Sequence, residues 1–193
     1  MSAVLLVHDV VNDFVNTRDE ALVAALANVR TLVTAARAAA LPVVFIAPGP
    51  GDPAIAQTPT QPGREILVWG SDGANVPADL GPLPADTVIR KPRWGAFHGS
   101  ALTDHLQEAG RDTVILCGFS LAGGITTTVR DAFNRDLKTI VVADACLCRS
   151  VPDQGWGAIS SDRVAKVVLS IMAQRFARVT TTAQISGEFA ALA

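Results

Sequence analysis

The chain has 193 residues, of which 49% are hydrophobic and 18% charged, with a formal net charge of -2 and a sequence pI near 5.9. A chain of this size and composition buries a sizeable core and is read as one domain spanning residues 1–193. The balance of charge argues against nucleic acid as a partner, and no basic stripe with interleaved aromatics overturns this. Ala3–Val7 is too short for a membrane span or a signal-peptide core, which predicts a cytoplasmic protein with no membrane partner. Cys117, Cys146 and Cys148 form no CxxC pair, so neither a disulfide framework nor a zinc site is expected.

In chain order, Val4–Val7 reads as a strand buried on both faces. Thr17 to Glu20 fits a capping box, followed by an apolar helical pattern to about Leu41. Pro42–Ile46 is a second strand. Proline and glycine recur from Pro48 to Pro84, which predicts loops around a short segment, Glu65–Trp69. Thr87–Arg90 is a strand, and Ser100 caps a helix over Ala101–Ala109 that Gly110 closes. Strand Thr113–Cys117, helix Ile125–Leu137, strand Thr139–Ala143, helix Ser161–Phe176 and strand Arg178–Thr181 complete the pattern. Strands alternating with helices predict a three-layer α/β/α fold, with a Rossmann-like parallel sheet of about six strands covered by helices on both faces.

Ligands of such sheets bind beyond the carboxyl ends of the strands. Asp9, Lys91 and the Gly123-Gly124 junction fall there, each at the end of a different strand. Taken singly, each has a plainer reading: a turn-capping aspartate, a solvated lysine, a tight glycine turn. His8 reads equally as a packed neighbour of Asp9. No histidine cluster has ligand spacing, so no metal and no cofactor are expected.

Three blocks change that weighting: "LLVHDVVNDF" at 5–14, "KPRWGAFHGSALTDHL" at 91–106 and "CGFSLAGGITTTVRDAFNRDLKTIVVADA" at 117–145. In order and spacing they resemble the isochorismatase-like hydrolases, also called cysteine hydrolases, over nearly the whole chain. The resemblance implies an aspartate–lysine–cysteine triad. Its first two members fall on Asp9 and Lys91, but its third falls on Gly124, so no nucleophile stands in the usual place. Glycine there, with the "HDMQ"-like His8-Asp9 and the "KWRYSAFH"-like "KPRWGAFH", resembles the true isochorismatases, which cleave a vinyl ether without a covalent intermediate.

By that resemblance Asp9 is the general acid, Lys91 its cationic partner, and Gly124 leaves room and an amide donor for a bulky anionic substrate. Arg64 would hold a substrate carboxylate, with Gln61 or Gln57 nearby. Trp94, Ser120, Gly123 and Phe14 would line the substrate pocket, and a cis peptide is implied near Phe119–Ser120. A homodimer or higher homo-oligomer is implied as well. Val11, Ser120 and Ala122 depart from the isochorismatase pattern. They leave open a related enol ether, a different substrate in a specialised biosynthetic pathway, or a non-catalytic family member.

Overall fold

The structure, a computed structural model, describes residues 2–16, 19–49 and 70–193. Six strands form one parallel sheet: β1 (Ala3–His8), β2 (Val43–Pro48), β3 (Thr87–Lys91), β4 (Thr113–Phe119), β5 (Lys138–Leu147) and β6 (Arg178–Thr180). Their order across the sheet is β3-β2-β1-β4-β5-β6. The chain winds outward from β1 to β3, then returns to pair β4 with β1. The crevice created by that reversal lies at the carboxyl ends of β1 and β4, where open α/β sheets place ligands.

Alternation along β1 sorts the core into two layers. Leu5 and Val7 join Phe45, Ile115 and Cys117 on one face, while Val4 and Leu6 join Val44, Ile46 and Leu116 on the other. The first face is covered by helix α2 (Glu20–Ala38), following the short α1 (Asn12–Val15), and by α6 (Thr182–Ser186) and α7 (Phe189–Leu192). The second is covered by α3 (Leu102–Glu108), α4 (Thr126–Phe133) and α5 (Ser161–Arg175). Burying one of these apolar side chains is worth about 1.5–3 kcal/mol.

Helix α2 is long and apolar enough to cross a membrane. Its residues Leu22, Ala25, Leu26, Val29, Leu32, Val33 and Ala36 are nonetheless buried against the sheet, the placement of a core helix. Asp19 caps it, accepting from the amides of Ala21 and Leu22. Thr17, the other expected cap, and the segment Glu65–Trp69 lie outside the described residues.

Helix α3 starts one residue later than expected, at Leu102, whose amide donates to Ser100 Oγ at 3.2 Å. It closes as expected at Gly110, in the left-handed region with φ of 61°. Strand β5 runs four residues beyond the expected Ala143. The β4–β5 pairing shifts register between Leu116 and Gly118, and β5 resumes pairing at Cys146. Within that irregularity the Asp144 carboxylate accepts from the amide and hydroxyl of Thr182, tying β5 to α6.

Candidate active site

Asp9 follows the last residue of β1 and adopts a left-handed backbone with φ of 50°, a region aspartate tolerates better than most residues. Its amide donates to the Ile46 carbonyl at 2.8 Å, which continues the β1–β2 ladder by one bond. The carboxylate is thereby held at the carboxyl edge of the sheet. There its Oδ2 lies 2.8 Å from Nζ of Lys91, the last residue of β3. Both residues are buried, and Lys91 also donates to the Arg93 carbonyl at 2.9 Å. A short charge-assisted contact of this kind is strong, but one partner without the other would be a buried, uncompensated charge.

His8, fully buried, stands beside this pair. Its Nδ1 is 2.8 Å from the Phe119 carbonyl and 3.4 Å from Asp9 Oδ2. Both neighbours are acceptors, so Nδ1 is assigned the proton. Burial lowers the pKa of His8 below its ordinary value; Asp9 opposes that shift and Lys91 adds to it. The imidazole is therefore neutral at neutral pH. Its Nε2 and the Oδ1 of Asp9 are buried with no hydrogen-bond partner among the described residues.

The third wall comes from β4 and the turn that follows. Gly118 has φ of 112°, and a Cβ there would meet the His8 carbonyl oxygen at 2.2 Å, so only glycine lets β4 approach β1 this closely. The peptide Phe119–Ser120 is cis, as the resemblance implied. A π-helical turn, Leu121–Ile125, then leads into α4, with the Ile125 amide donating to the Ser120 carbonyl.

The threonine run that opens α4 bonds back into this turn. Hydroxyls of Thr126, Thr127 and Thr128 donate to the carbonyls of Leu121, Gly123 and Gly124, respectively. Thr128 Oγ1 also accepts from the Ala96 amide at 3.0 Å, which fastens the loop after Lys91 to the same turn.

The two glycines are explained by what lies against them. A Cβ on Gly123 would fall 2.4 Å from Cζ3 of Trp94, whose indole covers that position while remaining half exposed. A Cβ on Gly124 would fall 2.3 Å from Cε1 of His8 and 2.9 Å from the Trp94 carbonyl. This corrects the expectation that Gly124 leaves its vacated space to a substrate. The space directly over Gly124 is filled by the His8 imidazole, because residue 8 faces the same side of the sheet as α4.

Of the expected site residues, Asp9, Lys91, Trp94, Ser120, Gly123 and Gly124 are gathered at the carboxyl ends of β1, β3 and β4. Phe14 reaches the same edge through Phe119, with ring centroids 5.1 Å apart. Arg64, Gln61 and Gln57 lie outside the described residues. Arg149 has no place in the sequence reading, where His8 reads as either part of the site or a packed neighbour of Asp9. Arg149, just past β5, sets its guanidinium 5.0 Å from the Phe119 ring centroid and donates to the Phe14 carbonyl. His8 had a signal in its adjacency to Asp9, but only the strand register shows what it touches.

No thiol near the site is a ready nucleophile. Burial pushes Cys117 up to about 12 and raises Cys146 and Cys148 as well. Among the described residues no three His, Cys, Asp or Glu side chains come together as metal ligands. A cleft of about 630 Å³ beside α1 is lined by Asn12, Asp13, Asp72 and Arg30 among others, and neither Asp9 nor Lys91 lines it.

The family model Isochorismatase domain matches residues 3–184. The chain belongs to the isochorismatase family. It is 32% identical over 190 residues to phenazine biosynthesis protein PhzD1 of Pseudomonas aeruginosa, covering 95% of this chain and 84% of that protein. It is 34% identical over 154 residues to enterobactin synthase component B of Escherichia coli K12, covering 74% of this chain but only 52% of that protein. Among solved structures, a cysteine hydrolase from Pseudomonas syringae superposes with a TM-score of 0.87 at 26% identity, covering 99% of this chain and 93% of that one. The six-stranded parallel α/β fold is the one this isochorismatase-family hydrolase shares with that structure.

Proposed function

We propose that the protein hydrolyses the vinyl ether of isochorismate, or of a closely related enol ether, and releases pyruvate without a covalent intermediate. The observation that carries this reading is the buried Asp9–Lys91 pair at a site with no ready thiol nucleophile. Asp9 Oδ2 is 2.8 Å from Lys91 Nζ, and the position that the resemblance assigns to the family's cysteine is Gly124. The similarity to PhzD1, a phenazine biosynthesis protein, over most of both chains supports a place in a specialised biosynthetic pathway.

In this mechanism Asp9 gives its proton to the methylene carbon of the enolpyruvyl group. The adjacent carbon becomes an oxocarbenium centre, and water adds to it. The water's proton returns to the carboxylate. The hemiketal then collapses: the bond from that carbon to the ring oxygen breaks, the hydroxyl proton passes to the ring oxygen, and pyruvate leaves. A dihydroxycyclohexadiene carboxylate remains, one water having been consumed. A positioned acid of this kind is worth about 10²–10⁴-fold in rate.

On binding, the substrate's own carboxylates would offset the charge of the Lys91 ammonium beside Asp9. Arg64, with Gln61 or Gln57, would bind those carboxylates, and Trp94 and Phe14 would wall the ring. Ser120, Gly123 and the Gly124 amide would contact the remainder of the ligand. Catalysis takes place within one domain with no cofactor or metal, in a homo-oligomer.

The test is pyruvate release from isochorismate, read with a coupled lactate dehydrogenase, for the wild type beside Asp9→Asn. Release by the wild type that Asp9→Asn abolishes supports the reading. No release at high enzyme concentration overturns it. Turnover of another substrate, or ligand binding without turnover, would then favour a divergent or non-catalytic family member.

A further inference from the structure

Two loops that border the site meet at one hydroxyl. Thr128, in the first turn of α4 and fully buried, donates through Oγ1 to the Gly124 carbonyl at 2.7 Å and accepts from the Ala96 amide at 3.0 Å. Gly124 belongs to the turn after β4, whereas Ala96 belongs to the loop that leaves β3 at Lys91 and carries Trp94. That loop lies close against α4. A Cβ on Gly95 would fall 2.8 Å from Oδ2 of Asp131 and 2.9 Å from Cγ2 of Thr127. One residue earlier, the Trp94 indole rests on Gly123 and the Trp94 carbonyl stands beside Gly124. Asp9 and Lys91, by contrast, are held at the ends of β1 and β3.

We propose that Thr128 is a positioning residue that holds Trp94 and the Gly123-Gly124 turn together as one continuous wall of the substrate pocket. The proposal rests on the pocket assigned above. A threonine hydroxyl gives one hydrogen bond and takes another at the same time, and here each goes to a different loop. Without it the Ala96 amide becomes a buried donor lacking an acceptor. It regains one only if the loop lifts toward water, and Trp94 lifts with it. The effect falls on substrate binding, because the acid and its cation keep their own supports.

The test compares Thr128→Val, which has nearly the same shape but no hydroxyl, with Thr128→Ser, which keeps the hydroxyl. Gly95→Val, a third variant, wedges the same loop off α4 and leaves Thr128 intact. An unmet buried hydrogen bond corresponds to about 10–100-fold in an equilibrium. Thr128→Val should raise KM for isochorismate by that factor with little change in kcat, the mark of lost binding. Thr128→Ser should keep KM near the wild-type value, and Gly95→Val should raise it. A loss confined to kcat, or an equal rise in Thr128→Ser and Thr128→Val, overturns the proposal.

A second measurement needs no turnover. In protein labelled with fluorotryptophan, the fluorine resonance of Trp94, assigned through Trp94→Phe, should move in Thr128→Val toward that of Trp156, which is 92% exposed. It should move likewise in Gly95→Val and stay in place in Thr128→Ser. A Trp94 resonance unmoved in folded Thr128→Val overturns the positioning role. So does one unmoved in Gly95→Val, which decides the matter if Thr128→Val does not fold. If the wild type releases no pyruvate, the function proposed above fails on its own, and these spectra still decide the role of Thr128.

Discussion

His8 and residue 124 exclude one another: a Cβ on Gly124 would stand 2.3 Å from Cε1 of His8 and 3.1 Å from its Nδ1. The absence of a side chain at 124 and the presence of an imidazole at 8 are one packing decision. It sets a neutral ring, where a side chain would otherwise project, against the buried Asp9–Lys91 pair.

Gly124→Ala is therefore expected to be costly and Gly123→Ala to be mild. Neither glycine has a positive φ, so the difference is steric. At 124 the obstacles are a buried ring and the Trp94 backbone carbonyl; overpacking of this kind costs about 1–3 kcal/mol. At 123 the obstacle is the rim of a half-exposed indole that can swing outward, and the change should stay within about 1 kcal/mol. Urea unfolding of the two variants checks this. Equal destabilisation would show that His8 does not fill the space over Gly124.

Acid should weaken the fold through His8. Burial lowers its pKa in the folded state, while the unfolded side chain keeps the ordinary 6.5. Below about 6.5 the unfolded chain binds the proton that the folded chain refuses, so stability falls with pH at up to about 1.4 kcal/mol per pH unit. The contribution is fully present above 6.5 and declines until the folded pKa is passed. Urea midpoints for the wild type and His8→Asn at pH 7.5, 6.5 and 5.5 should converge as the pH falls. Parallel lines would mean that His8 titrates alike in both states.

Lys91→Met should do more than remove a positive charge. Both members of the pair are buried, and removing one partner of such a pair costs about 3–5 kcal/mol. Adding Asp9→Asn to Lys91→Met should restore a large part of that loss, because no buried charge is then left unmatched. The check is a double-mutant cycle in chemical denaturation. Additive costs would show that the two side chains do not interact as the 2.8 Å contact implies.

Much of this arrangement is legible in the sequence, for identifiable reasons. β1, β2 and β4 are continuous apolar runs because both faces of the sheet are covered; Asp9 and the glycine turn follow the ends of β1 and β4, and Lys91 ends β3 beside them. β5 reads short because Asp144 interrupts its apolar run; the residue sits at a register shift and bonds to Thr182. Beyond it lies Arg149, so its approach to Phe119 is hidden with the missing end of the strand.

Helices α6 and α7 are four or five residues long, too short for a periodic signal, although Thr181 and Gln184 form a capping box that marks the start of α6. The least legible feature is the one that matters most at the site. His8 meets Gly124 only through the pairing of β1 with β4, across more than a hundred residues, and spacing along the chain carries no trace of it.

The central claim, protonation of a vinyl carbon by Asp9 with no covalent intermediate, is tested most directly by turnover of isochorismate in D₂O. Protonation of the methylene carbon predicts pyruvate carrying one solvent deuterium in its methyl group at the moment of release, trapped at once as lactate, with the label and the product both lost in Asp9→Asn. Pyruvate formed without methyl deuterium, or labelled pyruvate still produced at the wild-type rate by Asp9→Asn, would contradict the account.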